Sequence, residues 1–232
     1  MMEGRLMLND NDVKIRPFDL ENDLNGALVC FNEGFRHIIW PFIDHASPEF
    51  NLDCIRWFYK MSRTSFVAEV NGEIHGVLLG AAPFNVKDII SMLSFSFFTI
   101  LPKVLINAYR FNALAYKHFS RILYGYSYFL FFHPTCTKVS EITLFTSRKT
   151  YRGQGLGRKL MDAYLKTVKT NGLIEATVCT DTAVSYQFYE SYGFDRIREF
   201  DMKAYKYSIP GESFTGIIYR IAANTEKWPW HI

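Results

Sequence analysis

Glycine and basic residues alternate in one short segment of the chain, residues 151–160, which reads YRGQGLGRKL. Glycines allow backbone N–H groups to turn into a concavity, and the N-terminus of a following helix adds partial positive charge. This combination is typical of a phosphate or pyrophosphate site. Five basic side chains reinforce the preference for an anion: Arg148, Lys149, Arg152, Arg158 and Lys159. A tight turn before a basic helix is the structural alternative.

The glycine spacing excludes two common nucleotide-binding motifs. A dinucleotide-binding fingerprint needs G-x-G-x-x-G and a P-loop needs G-x-x-x-x-G-K-[ST], whereas this segment has G-x-G-x-G. The segment does contain R-x-x-G-x-G, from Arg152 to Gly157, after a predicted strand.

A second motif follows one predicted helix and one predicted strand later. Thr182, Ser185, Tyr189 and Gly193-Phe194 have the spacing N-x-x-A-x-x-x-Y-x-x-x-G-F, with Thr182 in place of the usual Asn and Ser185 in place of the usual Ala. The two motifs in this order resemble the GNAT superfamily of acetyl-CoA-dependent N-acetyltransferases, and they anchor residues 139–200. Both replacements are small side chains, so they weaken the match only slightly.

The resemblance implies an α/β (α+β) fold, the acyl-CoA N-acyltransferase fold. Its centre is a mixed, mostly antiparallel twisted sheet that is flanked by helices. In this chain a helical insertion over residues 84–133 falls between the third and the fourth predicted strands.

The resemblance also implies where acetyl-CoA, the co-substrate, binds. Its pantetheine would lie along the strand with Phe145–Ser147 and pair with it as another strand would. A backbone N–H near Ser147 would polarise the acetyl carbonyl. The pyrophosphate would lie on N–H groups of the glycine-rich loop, at Gln154, Gly155, Gly157 and Arg158. The cofactor-binding residues carried over are Phe145, Thr146, Ser147, Arg152, Gly153, Gln154, Gly155, Leu156, Gly157, Arg158, Thr182, Ser185, Phe188 and Tyr189.

Two residues are expected to carry the implied chemistry, in which an amine attacks the thioester carbonyl directly. Tyr189 stands at the position of the general acid that protonates the departing thiolate. The alternative is an aromatic ring that packs its helix against the cofactor strand. A free alkyl amine is mostly protonated at pH 7, so a base must accept its proton. Glu141 aligns with the base of the histone-acetylating branch of the family, and the alternative is a solvated carboxylate at a strand end.

Other reactive side chains show no catalytic or metal-ligating pattern. His133 and Cys136 lie three residues apart near a predicted strand start, but the implied chemistry needs no nucleophile. His37, His45 and His75 have no ligand spacing with cysteines or acids, so no metal site is predicted.

The elements that position these residues follow from the pattern of apolar and turn residues. A first strand over Val13–Pro17 precedes helices over Leu20–Phe35 and from Ser47-Pro48-Glu49 to about Ser62. Two runs joined by Asn71-Gly72 predict a β-hairpin with a type I′ turn, Ser65–Val70 and Glu73–Leu79. After the insertion we predict a strand over Val139–Thr146, a helix over Leu156–Asn171, a strand over Leu173–Thr180, a helix over Thr182–Tyr192, and closing strands from Phe194 and over Gly216–Ala222.

The insertion differs in composition from the rest of the chain. Residues 84–133 hold fourteen aromatic residues, five Lys or Arg and one acid, which gives a net charge of +4. Pro102 is expected to separate a more apolar helix, over about Val86–Leu101, from a helix with a basic face. That face would carry Lys103, Asn107, Arg110, Lys117 and Arg121. Three roles stay open: a packing layer or dimer interface, a lid over the acceptor pocket, and reversible association with an anionic membrane.

The composition of the 232 residues narrows the function classes. The net charge of +3 is too mild to indicate a nucleic-acid partner. The longest charge-free apolar runs, Ile89–Pro102 and Ile122–Thr137, are shorter than the roughly 20 residues of a membrane-spanning helix. Four scattered cysteines and a start without a secretory pattern predict a cytoplasmic protein. Residues 1–11 are expected to form a flexible tail, and residues 12–232 a single N-acetyltransferase domain.

The sequence therefore predicts an acetyl-CoA-dependent N-acetyltransferase that acts on a primary amine of a small molecule, a peptide or a protein. Two alternatives come from other classes: a non-catalytic CoA-binding sensor with the same fold, and a membrane-surface protein that acts through the insertion. Neither the acceptor nor the acyl chain length follows from the residues. Members of the family are often dimers, and the apolar insertion is compatible with a homodimer.

Overall fold

A computed structural model describes residues 12–81, 86–121, 139–201 and 215–223, and these include one seven-stranded sheet. Its strands, in chain order, are β1 (Val13–Pro17), β2 (Thr64–Val70), β3 (Glu73–Ala81), β4 (Val139–Ser147), β5 (Glu175–Asp181), β6 (Asp195–Asp201) and β7 (Thr215–Ala222). Their order across the sheet is β1-β2-β3-β4-β5-β7-β6. All neighbouring pairs are antiparallel except β4 and β5, which are parallel. The mixed, mostly antiparallel sheet is confirmed.

Helices cover both faces of this sheet. They are α1 (Leu20–Gly34), α2 (Arg36–His45), α3 (Pro48–Met61), α4 (Val86–Phe95), α5 (Leu101–Leu105), α6 over 113–121, α7 (Leu156–Thr170) and α8 (Gln187–Tyr192). A 3₁₀ turn, Lys149–Tyr151, precedes α7, and a π-helical turn, Ser96–Ile100, joins α4 to α5. Residues 86–105 are therefore helical without a break, and we call them the outer helix.

The β2–β3 hairpin has the turn that its sequence predicts. Asn71 and Gly72 have φ angles of 52° and 82°, the positive values that a type I′ turn requires. Val70 and Glu73 pair directly across this turn. The turn thus sets the pairing beside it, and a register shift at His75 follows, because Glu69 pairs with Ile74 but Ala68 pairs with Gly76.

The sheet separates two hydrophobic cores because side chains alternate along each strand. In β3, Leu78 faces the core that α7 covers, whereas Val77 and Leu79 face the core under α1 and α3. Six buried side chains of α7 fill the first core: Leu156, Leu160, Met161, Tyr164, Leu165 and Val168. The helix predicted over Leu156–Asn171 is confirmed.

β4 contains one residue more than the facing part of β3. Leu144 pairs with Leu79 but Ile142 pairs with Gly80, so Thr143 is left over as a β-bulge. The bulge inverts the alternation, because Ile142 faces the α7 core and Leu144, two residues later, faces the opposite core. β4 therefore contributes Ile142 to one core and Leu144 to the other.

The outer helix contradicts the predicted break at Pro102. Leu101 N–H donates to Ser96 O, which is five residues back, so the turn before Pro102 is wider than an α-helical turn. Pro102 lies in the first turn of α5, where a missing N–H is tolerated. The helix therefore passes through the proline.

The predicted basic helix face is also wrong. The helix ends at Leu105, and Asn107 and Arg110 beyond it have positive φ angles of 53° and 55°. The five residues of the predicted face, from Lys103 to Arg121, lie on α5, on α6 and in the turn between them. Their spacing therefore does not define one continuous surface.

Polar contacts attach the outer helix to α3. The Asp53 carboxylate, 1% exposed, accepts hydrogen bonds from Lys103 Nζ and Tyr109 OH, both at 2.7 Å. Trp57 Nε1 donates to Ser96 Oγ at 3.0 Å. This part of the insertion forms a packing layer on the domain.

Two further elements differ from the prediction. The helix predicted from Thr182 begins only at Gln187, because Asp181 Oδ1 accepts the N–H of Ala183 at 2.8 Å and starts a turn. α2 was not predicted, since Pro41 interrupts its sequence. The predicted tail over 1–11, His133 and Cys136 lie outside the described residues, and the assignment of 12–232 to one domain stays a prediction.

Candidate active site

The strands β4 and β5 part in the middle of the sheet, and this parting defines the site. They pair only from Val139 and Glu175 to Ile142 and Val178. Beyond the bulge, β4 pairs with β3 and β5 pairs with β7, and within the described residues no strand pairs with the two edges that face each other. An extended ligand with amide groups binds such an edge as an added strand does.

The glycine-rich loop begins where β4 ends. Gly153 and Gly155 have φ angles of 77° and 83°, which favour glycine, and a Cβ atom on Gly155 would meet no atom within 4 Å. The first bond of the α7 ladder runs from Lys159 N–H to Gly155 O at 3.0 Å. The positive end of α7 therefore borders open space beside Gly155. The N–H of Gln154, a predicted phosphate donor, instead donates to Tyr151 O at 3.3 Å.

The two arginines of the loop have defined positions. Arg152 Nη2 donates to Ser147 O at 3.3 Å, which ties the loop to the last residue of β4. The Arg158 guanidinium lies over the Tyr192 ring, 5.3 Å from its centroid, so it faces α8. Both arginines therefore lie beside the glycine-rich loop, as the sequence predicts.

Glu33 and His75 also hold the loop, a role that the sequence did not predict. Glu33 Oε2 accepts the N–H of Lys149 at 2.9 Å, and His75 O accepts the N–H of Arg148 at 2.9 Å. The His75 ring packs edge-on against Tyr151 at 4.6 Å. Burial, followed by the charge of Arg148, lowers the pKa of His75, so it is neutral at pH 7. An acid on α1 and a histidine in β3 carry no local signal for this role.

Phe145, Gly157 and Phe188 meet at the wall of the parted strands. The Phe145 and Phe188 ring centroids lie 5.0 Å apart. A Cβ atom on Gly157 would lie 3.2 Å from Phe145 Cζ and 3.3 Å from Phe188 Cε2. A side chain at position 157 would therefore press on both rings, and these three predicted residues do come together.

Tyr189 lies on α8 inside an aromatic cluster. Its ring stacks on Tyr219 with centroids 5.5 Å apart, and the Phe145 ring lies 6.2 Å away. Burial, followed by the charges that Cys179, Tyr219 and Asp181 carry when ionised, raises the pKa of Tyr189. The phenol is therefore neutral at pH 7 and is able to donate a proton.

Glu141 lies in β4 two residues before the bulge. It pairs with Ala81 and Thr177, and it points away from α7 because its neighbours Ser140 and Ile142 face that helix. Glu141 is thus partly buried on the face of the sheet opposite α7.

Cys179 lies in β5 directly after Val178, the last β5 residue that pairs with β4. Burial, followed by the charge of Glu141, raises the pKa of Cys179 to about 12. Ionised Cys179 in turn raises the pKa of Tyr189. Cys179 is therefore uncharged at pH 7.

Three predicted cofactor residues, Thr146, Leu156 and Thr182, turn their side chains elsewhere. Thr146 Oγ1 donates to Cys30 O on α1 at 2.8 Å, and Leu156 is buried in the α7 core. Thr182 Oγ1 accepts the N–H of Thr215 at 3.1 Å, which closes the corner between β5 and β7. Ser185 lies exposed in the turn before α8.

The described residues contain no cluster of side chains that could hold a metal ion. Among these residues, no helix combines the length and the apolar character that crossing a bilayer requires.

The profile of the acetyltransferase (GNAT) family matches residues 32–194. Three solved structures share the fold. The protein smu.2055 from Streptococcus mutans superposes with a TM-score of 0.55 at 16% identity, over 90% of this chain and 99% of its own. An N-acetyltransferase from Staphylococcus aureus gives 0.53 at 16%, over 91% and 98%. The Salmonella typhimurium protein yncA, solved with its cofactor acetyl-CoA, gives 0.51 at 12%, over 96% and 100%. No curated protein matches the sequence.

The matched range covers more than half of the chain and contains both motifs. Acetyl-CoA is the cofactor of this family, and the site fits it in two respects. The facing edges of β4 and β5 offer amide groups to a pantetheine chain, and the open space at the start of α7 suits a pyrophosphate. The chain belongs to the acetyltransferase (GNAT) family.

Proposed function

We propose that this chain is an N-acetyltransferase that transfers the acetyl group of acetyl-CoA to a primary amine of a small molecule, a peptide or a protein. The observation that carries the proposal is the parting of β4 and β5 at the Thr143 bulge. The glycine-rich loop lies at the far end of the same strand, so one strand leads from the phosphate region to the catalytic residues. The acceptor attacks the thioester carbonyl directly, within a ternary complex.

Tyr189 is the proposed general acid. Its raised pKa keeps the hydroxyl protonated, and the proton passes to the departing thiolate. The rings of Phe145 and Phe188 shield it from water. This role rests on its position beside the parted strands.

Glu141 is the proposed general base. An alkylammonium ion has a pKa of about 10 and no lone pair, so a base must accept its proton before attack. Glu141 lies on the sheet face opposite α7, so acid and base approach the parted strands from opposite sides. Replacement by Gln should raise the pH at which the reaction reaches half its maximal rate, because the amine must then lose its proton unaided.

The test begins with ligand binding. The melting temperature of the wild-type chain should rise with acetyl-CoA and with CoA, and stay unchanged with ATP and NAD; a ligand at 100 times its Kd adds roughly 2.7 kcal/mol. Gly155→Val places a β-branched side chain in the open space of the loop and should abolish the shift. Gly172→Val is the matched control, because Gly172 also has a positive φ, 71°, and open space around it, at the other end of α7.

Both glycine variants should lose similar stability, so a difference in the CoA shift reports the site alone. Equal shifts in the two variants would disprove the phosphate site. Release of CoA thiol is then followed across a panel of diamines, amino-acid amides and peptides with free N-termini. CoA binding without turnover of any amine would favour the non-catalytic CoA-binding sensor.

A further inference from the structure

The outer helix exposes an apolar face to the surroundings of the molecule. Eight of the eleven exposed large hydrophobic side chains among the described residues lie within 90–114. The most exposed are Phe98 at 83%, Ile106 at 77%, Leu105 at 75% and Phe97 at 62%. Ile90, Leu93, Phe97, Leu101 and Leu105 follow one another at intervals of three and four residues, and Phe98 is next to Phe97, so these six residues form one stripe along the helix. Such a contiguous patch marks an interaction site.

The opposite face of this helix packs against the rest of the molecule. Met92 and Val104 are buried, and the bonds of Ser96 and Lys103 attach that face to α3. The apolar stripe is therefore additional to the packing of the domain. An ordinary surface helix presents charged residues on its outward face instead.

Cations lie at both ends of the stripe. Lys87 precedes it, and Arg110 and Lys117 follow it, all three exposed. In the described part of the chain no acid forms an ion pair with any of these three. Asp88, which is the single acid within 86–121, is bound by Arg63 Nε at 2.8 Å. The surface around the stripe is therefore positive.

We propose that this face of the outer helix binds the surface of an anionic lipid bilayer, independently of the acetyl transfer proposed above. The helix would lie in the plane of the membrane, with Phe98 and Leu105 among the acyl chains and with Lys87 and Arg110 on phosphate groups. A second copy of the chain fits this face less well than a bilayer does. A two-fold axis through the stripe would place the cations of one copy near those of the other. The outer helix cannot cross the bilayer, because its inner face is attached to α3.

The first test measures co-sedimentation of the full chain with vesicles at low salt. Vesicles of phosphatidylcholine with phosphatidylglycerol should retain the protein far better than phosphatidylcholine alone. Phe98→Ser combined with Leu105→Ser should weaken the partition coefficient at least about tenfold. The matched control is Ile174→Ser with Ile197→Ser, which removes two exposed apolar side chains, 45% and 47% exposed, outside the insertion.

The second test addresses charge. Lys87→Gln with Arg110→Gln should weaken the partition coefficient about fivefold for each cation removed. Lys166→Gln with Lys169→Gln, at exposed positions of α7, should leave it within twofold. Rising salt should reduce binding of the wild type, and the difference between the two charge variants should disappear at high salt.

Several outcomes would overturn the proposal. One is a failure of the wild type to sediment with anionic vesicles at low salt. Another is a wild-type dimer that Phe98→Ser with Leu105→Ser converts to a monomer while vesicle binding is unchanged, which would identify the stripe as a self-association surface. The acetyl-CoA melting shift should be the same in all of these variants, so its loss reports on the proposed enzyme and not on the membrane surface.

Discussion

Two helices of this chain, α7 and the outer helix, each pack one face against the rest of the molecule, but their other faces differ in chemistry. α7 buries six apolar side chains and turns Lys166 and Lys169 outward. The outer helix is anchored by polar bonds to Asp53 and Trp57, and turns Phe98 and Leu105 outward. α7 thus follows the usual pattern of a surface helix, and the outer helix reverses it.

The apolar residues of the two helices therefore have different explanations. Burial on the sheet determines the apolar residues of α7, and the proposed phosphate site uses only its first turn. The outward face of the outer helix contributes nothing to the core, so its apolar residues need another explanation. The comparison can be tested by variants that affect one region and leave the other unchanged.

The largest effect is expected at Tyr189. Tyr189→Phe should lower kcat roughly 10²- to 10⁴-fold and leave the acetyl-CoA melting shift unchanged, because the ring and its packing remain. In the wild type the raised pKa of Tyr189 keeps the acid protonated, so kcat should not fall on the basic side below about pH 10. A Tyr189→Phe variant with wild-type kcat would leave this residue a packing role only.

A large loss of stability is expected at Leu160. This α7 residue is fully buried, and Leu160→Ala should cost about 2–5 kcal/mol in free energy of unfolding, from lost burial and the cavity left behind. Urea denaturation measures it. A cost below 1 kcal/mol would mean that α7 does not hold the domain together as its packing implies.

A smaller loss is expected at the anchor of the outer helix. Burial raises the pKa of Asp53, but hydrogen bonds from Lys103, Tyr109 and Arg56 outweigh it, and the pKa is lowered. This stability is therefore present above the unfolded-state pKa near 3.9 and is lost as the pH falls through the lower folded-state value. Asp53→Asn should cost about 2 kcal/mol at pH 7 and flatten that acid dependence.

Glu49→Gln is the control for this anchor. Glu49 contacts the same Lys103 and Arg56, but 44% of its side chain is exposed. Its loss should cost less than about 1 kcal/mol. Equal costs at Asp53 and Glu49 would refute the buried anchor.

The smallest effect is expected on the exposed face. Leu105→Ala should change the free energy of unfolding by less than about 0.5 kcal/mol, because the side chain is 75% exposed. The same urea series measures it alongside Leu160→Ala. A cost as large as that of Leu160 would show that the stripe is covered within the folded chain.

Local signals explain what the sequence could predict. Asn71-Gly72 determines its own turn, and the glycines at 153 and 155 adopt the positive φ angles that their spacing favours. The apolar spacing of α7 corresponds to its buried face. In each case the residues that carry the signal also form the structure.

Features that depend on distant partners could not be predicted. The Thr143 bulge exists only relative to β3, and nothing in β4 itself indicates it. Pro102 lies inside a helix because a π-helical turn precedes it. Glu33 reaches the loop from α1, across more than a hundred residues. Tertiary contacts determine these features, and a single sequence does not display them.

The pairing of Ala81 with Glu141 has a consequence for how the insertion is accommodated. These residues are neighbours on the adjacent strands β3 and β4, so the roughly sixty residues between them are a long loop that starts and ends at the same place. A connection of about four residues could join the same two strands. Ring-closure entropy grows only logarithmically, so the longer path costs about 2 kcal/mol more than the short one. The Asp53 anchor is of the same size. A single buried anchor is therefore enough to offset the closure cost of the longer connection.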